Sequence, residues 1–286
     1  MFQYARPNSI SEAIALLRDV DGARLLNGGT DLLVGLRKGT LRPPLVVDVK
    51  RATDLEPGID ERNGMLHISA TTPLTQVIAD ERVRAHFPAL VDAAQVVGSI
   101  QIRNRATLAG NVCNASPAAD TATPLLVYDA VVLVVGPDGE RRIPLDGFFV
   151  APGRTQLAAG ELVTAIELPL PVDRVGAAFA RMTRRRGVDL ATVNLCCAVS
   201  SAGATRFAFG AVGPRPFIVA DESGELASLG QGSEAQERAL RTLTEQATPI
   251  SNVRASREYR EQMLFVLSRR ALERARGALR GDQHAG

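Results

Sequence analysis

The N-terminal residues alternate between amphipathic and apolar segments of the lengths that helices and strands need. Ser9 and Glu12 form a capping box, and the apolar positions behind it repeat with a helical period as far as Asp19. The elements predicted next are a strand over 23–26, a helix ending at Lys38 and a buried strand over 45–49. Residues 1–56 therefore predict a small unit of mixed helices and strands.

The middle of the chain combines hairpin signals with short helical segments. Asn63-Gly64 lies between two runs with strand character, which strongly indicates a two-residue hairpin, and Asp138-Gly139 indicates a second one. The other predicted elements are helices over 74–80 and from Pro88, and strands over 130–135 and 161–168. Residues 100–120 follow neither period, so we expect a long loop there, and a loop of that length is usually functional.

Beyond a proline-rich linker at 169–174, strands come first and helices follow. The predicted strands cover 177–182, 193–200 and 206–212, and the predicted helices cover 233–247 and 256–280. We expect Pro214 and Pro216 to break the strand pattern. The predicted fold class is α+β, with two mixed units at 1–56 and 57–172 and a C-terminal antiparallel sheet with helices at 173–286.

Composition excludes several classes of function. The chain has 33 basic and 31 acidic residues, 4% aromatics and no Trp, which favours neither a nucleic-acid surface nor a base-stacking one. No apolar run approaches the roughly 18 residues of a membrane span, and we expect no signal peptide. The cysteines, Cys113, Cys196 and Cys197, lack C-x-x-C spacing, which indicates free thiols in a reducing, cytoplasmic compartment. His67, His86 and His284 lack metal-ligand spacing, so we expect no metal in this chain.

Two glycine-bearing bends carry the candidate chemistry. The first consists of Asn27, Gly28, Gly29, Thr30 and Asp31, and the second of Thr107, Leu108, Ala109, Gly110 and Asn111. Glycine lets backbone approach a ligand closely, and a helix that Thr30 or Asp31 caps would add amides suited to phosphate. Neither bend matches the dinucleotide fingerprint or the P-loop, and each bend taken alone is more often a structural turn. Together they suggest a ligand with two phosphates.

The sequence offers no nucleophile and no acid–base pair to accompany these bends. Asp120 follows the second bend and, when ionised, accepts hydrogen bonds such as those of a sugar hydroxyl. Cys113 has no basic neighbour at fixed spacing, so we interpret it as a packing residue. We therefore expect no catalytic residue in this chain and infer that a bound cofactor performs the chemistry.

The chain resembles the FAD-binding medium subunits of molybdenum hydroxylases, the group that includes the medium subunit of carbon monoxide dehydrogenase and the flavin domain of xanthine dehydrogenase. The resemblance spans essentially the whole chain. It is carried by F-Q-Y-A-R-P-N-S-I-S-E-A-I-A-L-L, L-N-G-G-T-D-L-L, Q-I-R-N-R-A-T-L-A-G-N-V-C-N-A-S-P-A-A-D-T-A-T-P-L-L, G-E-L-V-T-A-I-E-L-P-L-P and R-R-G-V-D-L-A-T-V-N. It implies that the first two units form an FAD-binding fold of the vanillyl-alcohol-oxidase type.

The resemblance also implies roles for particular residues. Both bends would wrap the FAD diphosphate, with Ala109 where the family usually has glycine, a replacement that needs a negative φ there. Ser116 and Asp120 belong to the S-P-x-x-D motif, whose aspartate is expected at or near the adenosine ribose. Leu162 or Val163 would pack beside the flavin or the adenine, and Arg181 would lie near the isoalloxazine ring.

The implied function is electron transfer. Substrate would be hydroxylated at a molybdenum–pterin cofactor in a large partner subunit. Electrons would then pass through two [2Fe–2S] clusters of a small partner subunit to FAD in this chain and on to an external acceptor. We expect a dimer of such heterotrimers. A stand-alone FAD oxidoreductase of the vanillyl-alcohol-oxidase type and an assembly module that has lost FAD remain as alternatives, and the sequence identifies neither the substrate nor the acceptor.

Overall fold

The N-terminal unit is a small parallel sheet with two helices. A computed structural model of the chain describes residues 2–221, 223–228 and 230–281, so His284 lies outside the described residues. The elements of this unit are β1 (Gln3–Ala5), α1 (Ile10–Asp19), β2 (Arg24–Leu26), α2 (Leu32–Lys38) and β3 (Leu45–Asp48). Strand β3 is central and pairs in parallel with both β1 and β2. The sequence did not predict β1, because none of its three residues is buried and the segment therefore shows no apolar pattern.

The second unit is built on an antiparallel sheet. Its helices are α3 (Leu74–Ala79), α4 (Glu81–His86), α5 (Pro88–Gln95), α6 (Ile100–Arg103), α7 (Leu108–Cys113), α8 (Ala122–Val127) and α9 (Leu145–Phe148). Its strands are β4 (Ile59–Arg62), β5 (Met65–Ser69), β6 (Val131–Gly136), β7 (Gly139–Pro144), β8 (Phe149–Ala151), β9 (Arg154–Thr155) and β10 (Leu162–Pro169). The sheet order is β4-β5-β10-β6-β7, and β8 pairs with β9 separately.

Both predicted hairpins of the second unit are confirmed, whereas the predicted loop over 100–120 is wrong. Asn63 and Gly64 have φ values of 51° and 74° between β4 and β5, as a two-residue turn with positive φ requires. The supposed loop contains α6 and α7. Each begins at a hydroxyl cap, since Ser99 accepts a hydrogen bond from the Ile102 amide and Thr107 from the Gly110 amide. Helices of four and six residues are too short to show a period.

The C-terminal unit is a second antiparallel sheet covered by helices. Its elements are β11 (Val175–Met182), β12 (Val193–Ser200), β13 (Thr205–Gly210), β14 (Phe217–Ala220), α10 (Glu234–Thr244) and α11 (Arg257–Arg280). The strands pair in chain order, and α11 packs along β11 and β12. The sequence missed β14 because Pro214 and Pro216 were expected to end the strand pattern. They instead precede an edge strand, where proline is tolerated.

Two hydrophobic cores lie on opposite faces of the C-terminal sheet. One face packs against α5 and α8 of the second unit, and its residues join a core shared by both N-terminal units. The other face packs against α10 and α11. Along β12, Cys196 and Ala198 face the first core, whereas Leu195, Cys197 and Val199 face the second. Burial on both faces explains why β12 is an almost continuous apolar run.

Candidate functional site

The first bend connects β2 to α2 and offers several free amides. Gly29 has a φ of 75°, which reverses the chain at little steric cost. The amides of residues 28–32 donate to no group in the described part of the chain. The predicted side-chain cap is wrong, because Asp31 occupies the N-cap position in a helical conformation and makes no capping hydrogen bond. Thr30 also makes no such bond, so these amides remain available to a ligand.

The second bend is the first turn of helix α7 rather than an open turn. Thr107 Oγ1 accepts from the Gly110 amide at 3.0 Å, and the Asn111 amide donates to the Thr107 carbonyl at 3.0 Å. Within the described residues, the Thr107 and Ala109 amides of this bend donate to no group, whereas the Leu108 amide lies beside the bridge that pairs Thr107 with Pro73. Ala109 is helical and has a negative φ, which meets the condition for alanine in place of glycine.

The fold brings the two bends into direct contact. The Asn27 side-chain amide donates to Thr107 Oγ1 at 3.0 Å and to the Ala70 carbonyl at 2.6 Å. Gly28 lies against the backbone of the segment leading into the second bend, where a Cβ would come within 2.1 Å of the Arg105 carbonyl oxygen. Glycine is therefore required at this position for the bends to approach, and the free amides of both end up in one region.

The buried carboxylate of Asp48 supports the first bend through Lys50. Lys50 Nζ donates to Asp48 Oδ1 at 2.6 Å and to the Asn27 carbonyl at 3.3 Å, and the Tyr4 hydroxyl donates to Asp48 Oδ2. Burial alone would raise the pKa of Asp48, but the hydrogen bonds from Lys50 and Tyr4 outweigh it and hold the pKa below its ordinary value. The ionised carboxylate thereby fixes Lys50, which holds the bend.

Asp120 and Arg181 form an ion pair between the second unit and the C-terminal sheet. Arg181 Nη1 lies 2.8 Å from Asp120 Oδ2 and also donates to the Val96 carbonyl at 3.3 Å. The Asn194 side-chain amide donates to Asp120 Oδ1 at 3.1 Å. Burial raises the pKa of Asp120, and the charge of Arg181 and the hydrogen bonds from Asn194 and Arg181 oppose that shift without cancelling it. Two site residues predicted separately are thus in contact.

The remaining predicted site residues lie near the second bend or beneath it. Asn111 Oδ1 accepts from the Thr121 hydroxyl at 2.7 Å, which leaves its side-chain nitrogen without a partner among the described residues. Ser116 Oγ accepts from the Ala118 amide at 3.3 Å. Leu162 and Val163 are buried in β10, the strand against which α7 packs.

Several features of the described residues bear on other kinds of site. Burial raises the pKa of Cys113 to about 12, as expected of a packing residue rather than a reactive thiolate. The described part of the chain contains no group of His, Cys, Asp and Glu side chains arranged to hold a metal ion. Within the same residues, no helix combines the length and apolarity that crossing a membrane requires.

Sequence reasoning missed three residues that shape the site. Asp48 and Lys50 lie in and just after an apolar strand, and nothing in their spacing relates them to the first bend. Asn194 was detectable as the one polar residue in the apolar run Val193–Val199, but a single polar position does not reveal its partner. All three act through tertiary contacts, which a one-dimensional pattern does not report.

Comparison with known proteins identifies the class. Residues 1–171 match the family described as "FAD binding domain in molybdopterin dehydrogenase", and residues 177–275 match "CO dehydrogenase flavoprotein C-terminal domain". The chain belongs to this family of FAD-binding subunits of molybdenum hydroxylases, which are subunits of multi-subunit oxidoreductases. This confirms the resemblance inferred from the sequence.

Particular relatives match over nearly their whole length. The chain is 33% identical to the xanthine dehydrogenase FAD-binding subunit of Escherichia coli O157:H7, covering 97% of each chain. It is 30% identical to the carbon monoxide dehydrogenase medium chain of Hydrogenophaga pseudoflava, covering 96% of each. Among solved structures, it superimposes on a chain of the reconstituted CO dehydrogenase from Oligotropha carboxidovorans with a TM-score of 0.88 at 29% identity, covering 97% of this chain and 98% of that one.

The residues of the two bends fit FAD. A diphosphate needs several hydrogen-bond donors in one place, and the partnerless amides of residues 28–32, of Thr107 and of Ala109 would be suited to that role. The glycine at position 28 lets the first bend lie against the Arg105 backbone, which keeps the amides of both bends in one region. The donor set is neutral backbone, which suits a phosphate ester rather than a metal ion.

Proposed function

We propose that this chain grips FAD by its diphosphate between the two bends and relays electrons from the iron–sulfur clusters of a small partner subunit to an external acceptor. The observation that carries this proposal is the hydrogen bond from the Asn27 amide to Thr107 Oγ1, which joins the bends and gathers their free amides. Those amides would donate hydrogen bonds to the diphosphate oxygens and stabilise their charge.

Individual residues would have distinct tasks in this arrangement. The first bend, from Asn27 through Gly28, Gly29 and Thr30 to Asp31, and the second, from Thr107 through Leu108, Ala109 and Gly110 to Asn111, would hold the diphosphate. Ser116 and Asp120 would lie near the adenosine ribose, Leu162 or Val163 would contact a ring system, and Arg181 would lie near the isoalloxazine. When bound, FAD supplies the redox chemistry, and the protein binds, orients and shields it.

The finer features of the assembly are part of the same proposal. The relatives named as medium chains or FAD-binding subunits support a complex with a small iron–sulfur subunit and a large molybdenum subunit. We propose a cytoplasmic dimer of such heterotrimers. We also propose the unit boundaries 1–56, 57–172 and 173–286, with the first two units forming a vanillyl-alcohol-oxidase-type fold. The substrate and the acceptor stay unassigned.

Ligand competition tests the binding mode. The purified chain, freed of flavin, is titrated with FAD, ADP and riboflavin while flavin fluorescence and displacement are measured. If the diphosphate is the main anchor, ADP displaces FAD and riboflavin binds much more weakly than FAD. Riboflavin binding as tightly as FAD would contradict the proposal, and a chain that takes up no FAD would favour the assembly-module alternative.

Reconstitution tests the electron route. The complete complex is assembled with the wild-type chain or with a variant that has lost FAD, and its iron–sulfur clusters are followed by electron paramagnetic resonance. We expect substrate to reduce the clusters in both complexes, but the external acceptor only in the FAD-loaded one. Acceptor reduction at the wild-type rate by the FAD-free complex would refute the route. Turnover of a reduced donor by the isolated chain would favour the stand-alone oxidoreductase.

A further inference from the structure

Asn194 is a fully buried polar side chain whose two ends have very different surroundings. Its nitrogen donates to Asp120 Oδ1 at 3.1 Å and to the Ala118 carbonyl at 3.4 Å. Its oxygen has no hydrogen-bond partner among the described residues, although it is buried. A buried acceptor without a donor lowers the stability of the fold. We therefore expect Asn194 to have a function that offsets this cost.

The orientation of this amide follows from its neighbours. The Asp120 carboxylate and the Ala118 carbonyl only accept hydrogen bonds, so the nitrogen must face them and the oxygen must point away. The oxygen then points at Gly210 on β13, where a Cβ would lie 1.8 Å from it. Gly210 is therefore the residue that leaves room for Asn194 to turn its nitrogen toward Asp120.

We propose that Asn194 is a positioning residue of the FAD site: together with Arg181, it fixes both oxygens of Asp120 from the C-terminal sheet and so sets how tightly the chain binds FAD. Gly210 permits this arrangement. The inference rests on the proposed function, in that Asp120 is taken to contact FAD. Nothing in the family match assigns a role to Asn194 or Gly210.

A second contact ties the same segment to the same sheet. The Ala211 amide donates to the Pro117 carbonyl at 2.7 Å, one residue beyond Gly210. The segment that carries Ser116 and Asp120 is thus held by β12 and by the end of β13. Without the amide of Asn194, Arg181 would hold one oxygen of the carboxylate, and the group would be free to rotate about that contact.

Replacement of Asn194 by residues without the donor tests the proposal. Asn194→Leu keeps the shape of the side chain, and Asn194→Ala serves if the leucine variant does not fold. We expect the dissociation constant of FAD to rise about 10-fold, as for the loss of one charge-assisted hydrogen bond. The thermal midpoint of each flavin-free variant is measured in parallel, so that a change in FAD affinity is separated from a change in stability.

Gly210→Ala tests whether the effect on FAD binding passes through the Asn194 side chain, because its effect should then depend on whether Asn194 is present. In the wild-type background the new methyl group displaces the Asn194 amide, and FAD binding should weaken about as much as in Asn194→Ala. In the Asn194→Ala background the clash with the amide is gone and the remaining neighbour is the Pro117 carbonyl oxygen at 3.3 Å, a contact that a shift of a few tenths of an ångström relieves. Gly210→Ala should then change FAD affinity less than about 2-fold. Equal and additive losses in the two backgrounds would overturn the proposal.

Two further readouts distinguish the ways in which the proposal can fail. If Asp120→Ala binds FAD like the wild type, Asp120 does not contact FAD and the proposed role of Asp120 fails first. If Asp120→Ala weakens binding but both Asn194 variants do not, the inference fails while the proposed function stands. Arg181 is the charged group that faces Asp120. Without the Asn194 donor the Asp120 carboxylate is protonated more readily, so FAD affinity should begin to fall at a higher pH on acidification than in the wild type.

Discussion

Gly28 and Arg105 are in backbone contact across the two bends: a Cβ built on Gly28 would lie 2.1 Å from the Arg105 carbonyl oxygen and 2.9 Å from its carbonyl carbon. No real side chain accommodates such distances, because the neighbouring atoms are backbone rather than the end of a flexible side chain. The two bends can therefore approach this closely only because residue 28 has no side chain.

Gly28→Ala should separate the bends and weaken FAD binding by about 10- to 100-fold, since relieving a backbone clash of this kind costs about 1–3 kcal/mol. The dissociation constant of FAD, measured by fluorescence titration of the flavin-free chain, tests this. Gly230→Ala is the matched control, because a Cβ at Gly230 meets no atom within 4 Å. Wild-type affinity in Gly28→Ala would show that contact between the bends is not needed for binding.

Asn27→Ala should lower the free energy of unfolding by about 1–3 kcal/mol, because the Ala70 carbonyl loses the Asn27 donor and the Thr107 hydroxyl keeps only the Gly110 amide. Urea denaturation of the flavin-free chain measures this. Asn114→Ala is the control, since Asn114 is exposed and its side chain bonds to none of the described residues. A double-mutant cycle with Thr107→Val should reveal coupling between Asn27 and Thr107, whereas strictly additive effects would argue against the hydrogen bond.

Asp48→Asn should destabilise the chain in a pH-dependent way. The pKa of Asp48 is lower in the folded state than in the unfolded state, so its ionised form contributes stability above the unfolded pKa of about 3.9. That contribution is lost as pH falls through the folded pKa. The difference in unfolding free energy between wild type and variant should thus be largest near neutral pH and shrink in acid.

Denaturant titrations of both proteins over a series of pH values check this expectation. The exposed Asp19, which pairs with Arg18 at the surface, gives a control variant, Asp19→Asn, with little effect at any pH. A difference between wild type and Asp48→Asn that stays constant with pH would mean that the charge of Asp48 is not what supports the first bend.

The sequence predicted those parts of the fold that depend on local signals. The hairpin at Asn63-Gly64 was predictable because only a few residue pairs adopt its positive φ values. The helix from Arg257 to Arg280 was predictable because it is long and begins at the serine cap Ser256. By contrast, α6 and α7 are held by tertiary packing and single hydroxyl caps, and their composition resembles that of a loop.

The residues of the candidate site likewise fall into those that local sequence signals predict and those that depend on tertiary contacts. The residues of the two bends could be found from their glycines and small polar side chains, and the resemblance added Asp120 and Arg181. That Asp120 contacts Arg181 could not be predicted, because 61 residues separate them and the contact depends on how α5 and α8 pack against the C-terminal sheet. Asn194 was missed for the same reason, since its partner lies on another unit.

Arg260 is a buried side chain whose guanidinium connects three segments at the end of the C-terminal sheet. Its Nη1 donates to the Thr192 carbonyl at 2.6 Å and to the Ala211 carbonyl at 2.8 Å, and its Nη2 donates to Asn252 Oδ1 at 2.9 Å. Ala211 has a φ of 62°, outside the range that alanine prefers, so its conformation depends on such contacts.

Arg260→Met keeps the length of the side chain but leaves buried carbonyls without donors, and it should lower the free energy of unfolding by about 2–4 kcal/mol. Because Ala211 also holds the Pro117 carbonyl, we expect FAD affinity to fall as well. Arg238→Met is the control, since its exposed pair with Glu234 contributes at most about 0.5 kcal/mol. Urea denaturation and FAD titration measure the two effects. If Arg260→Met lost stability but bound FAD like the wild type, the connection from α11 through Ala211 to the segment carrying Asp120 would be structural only.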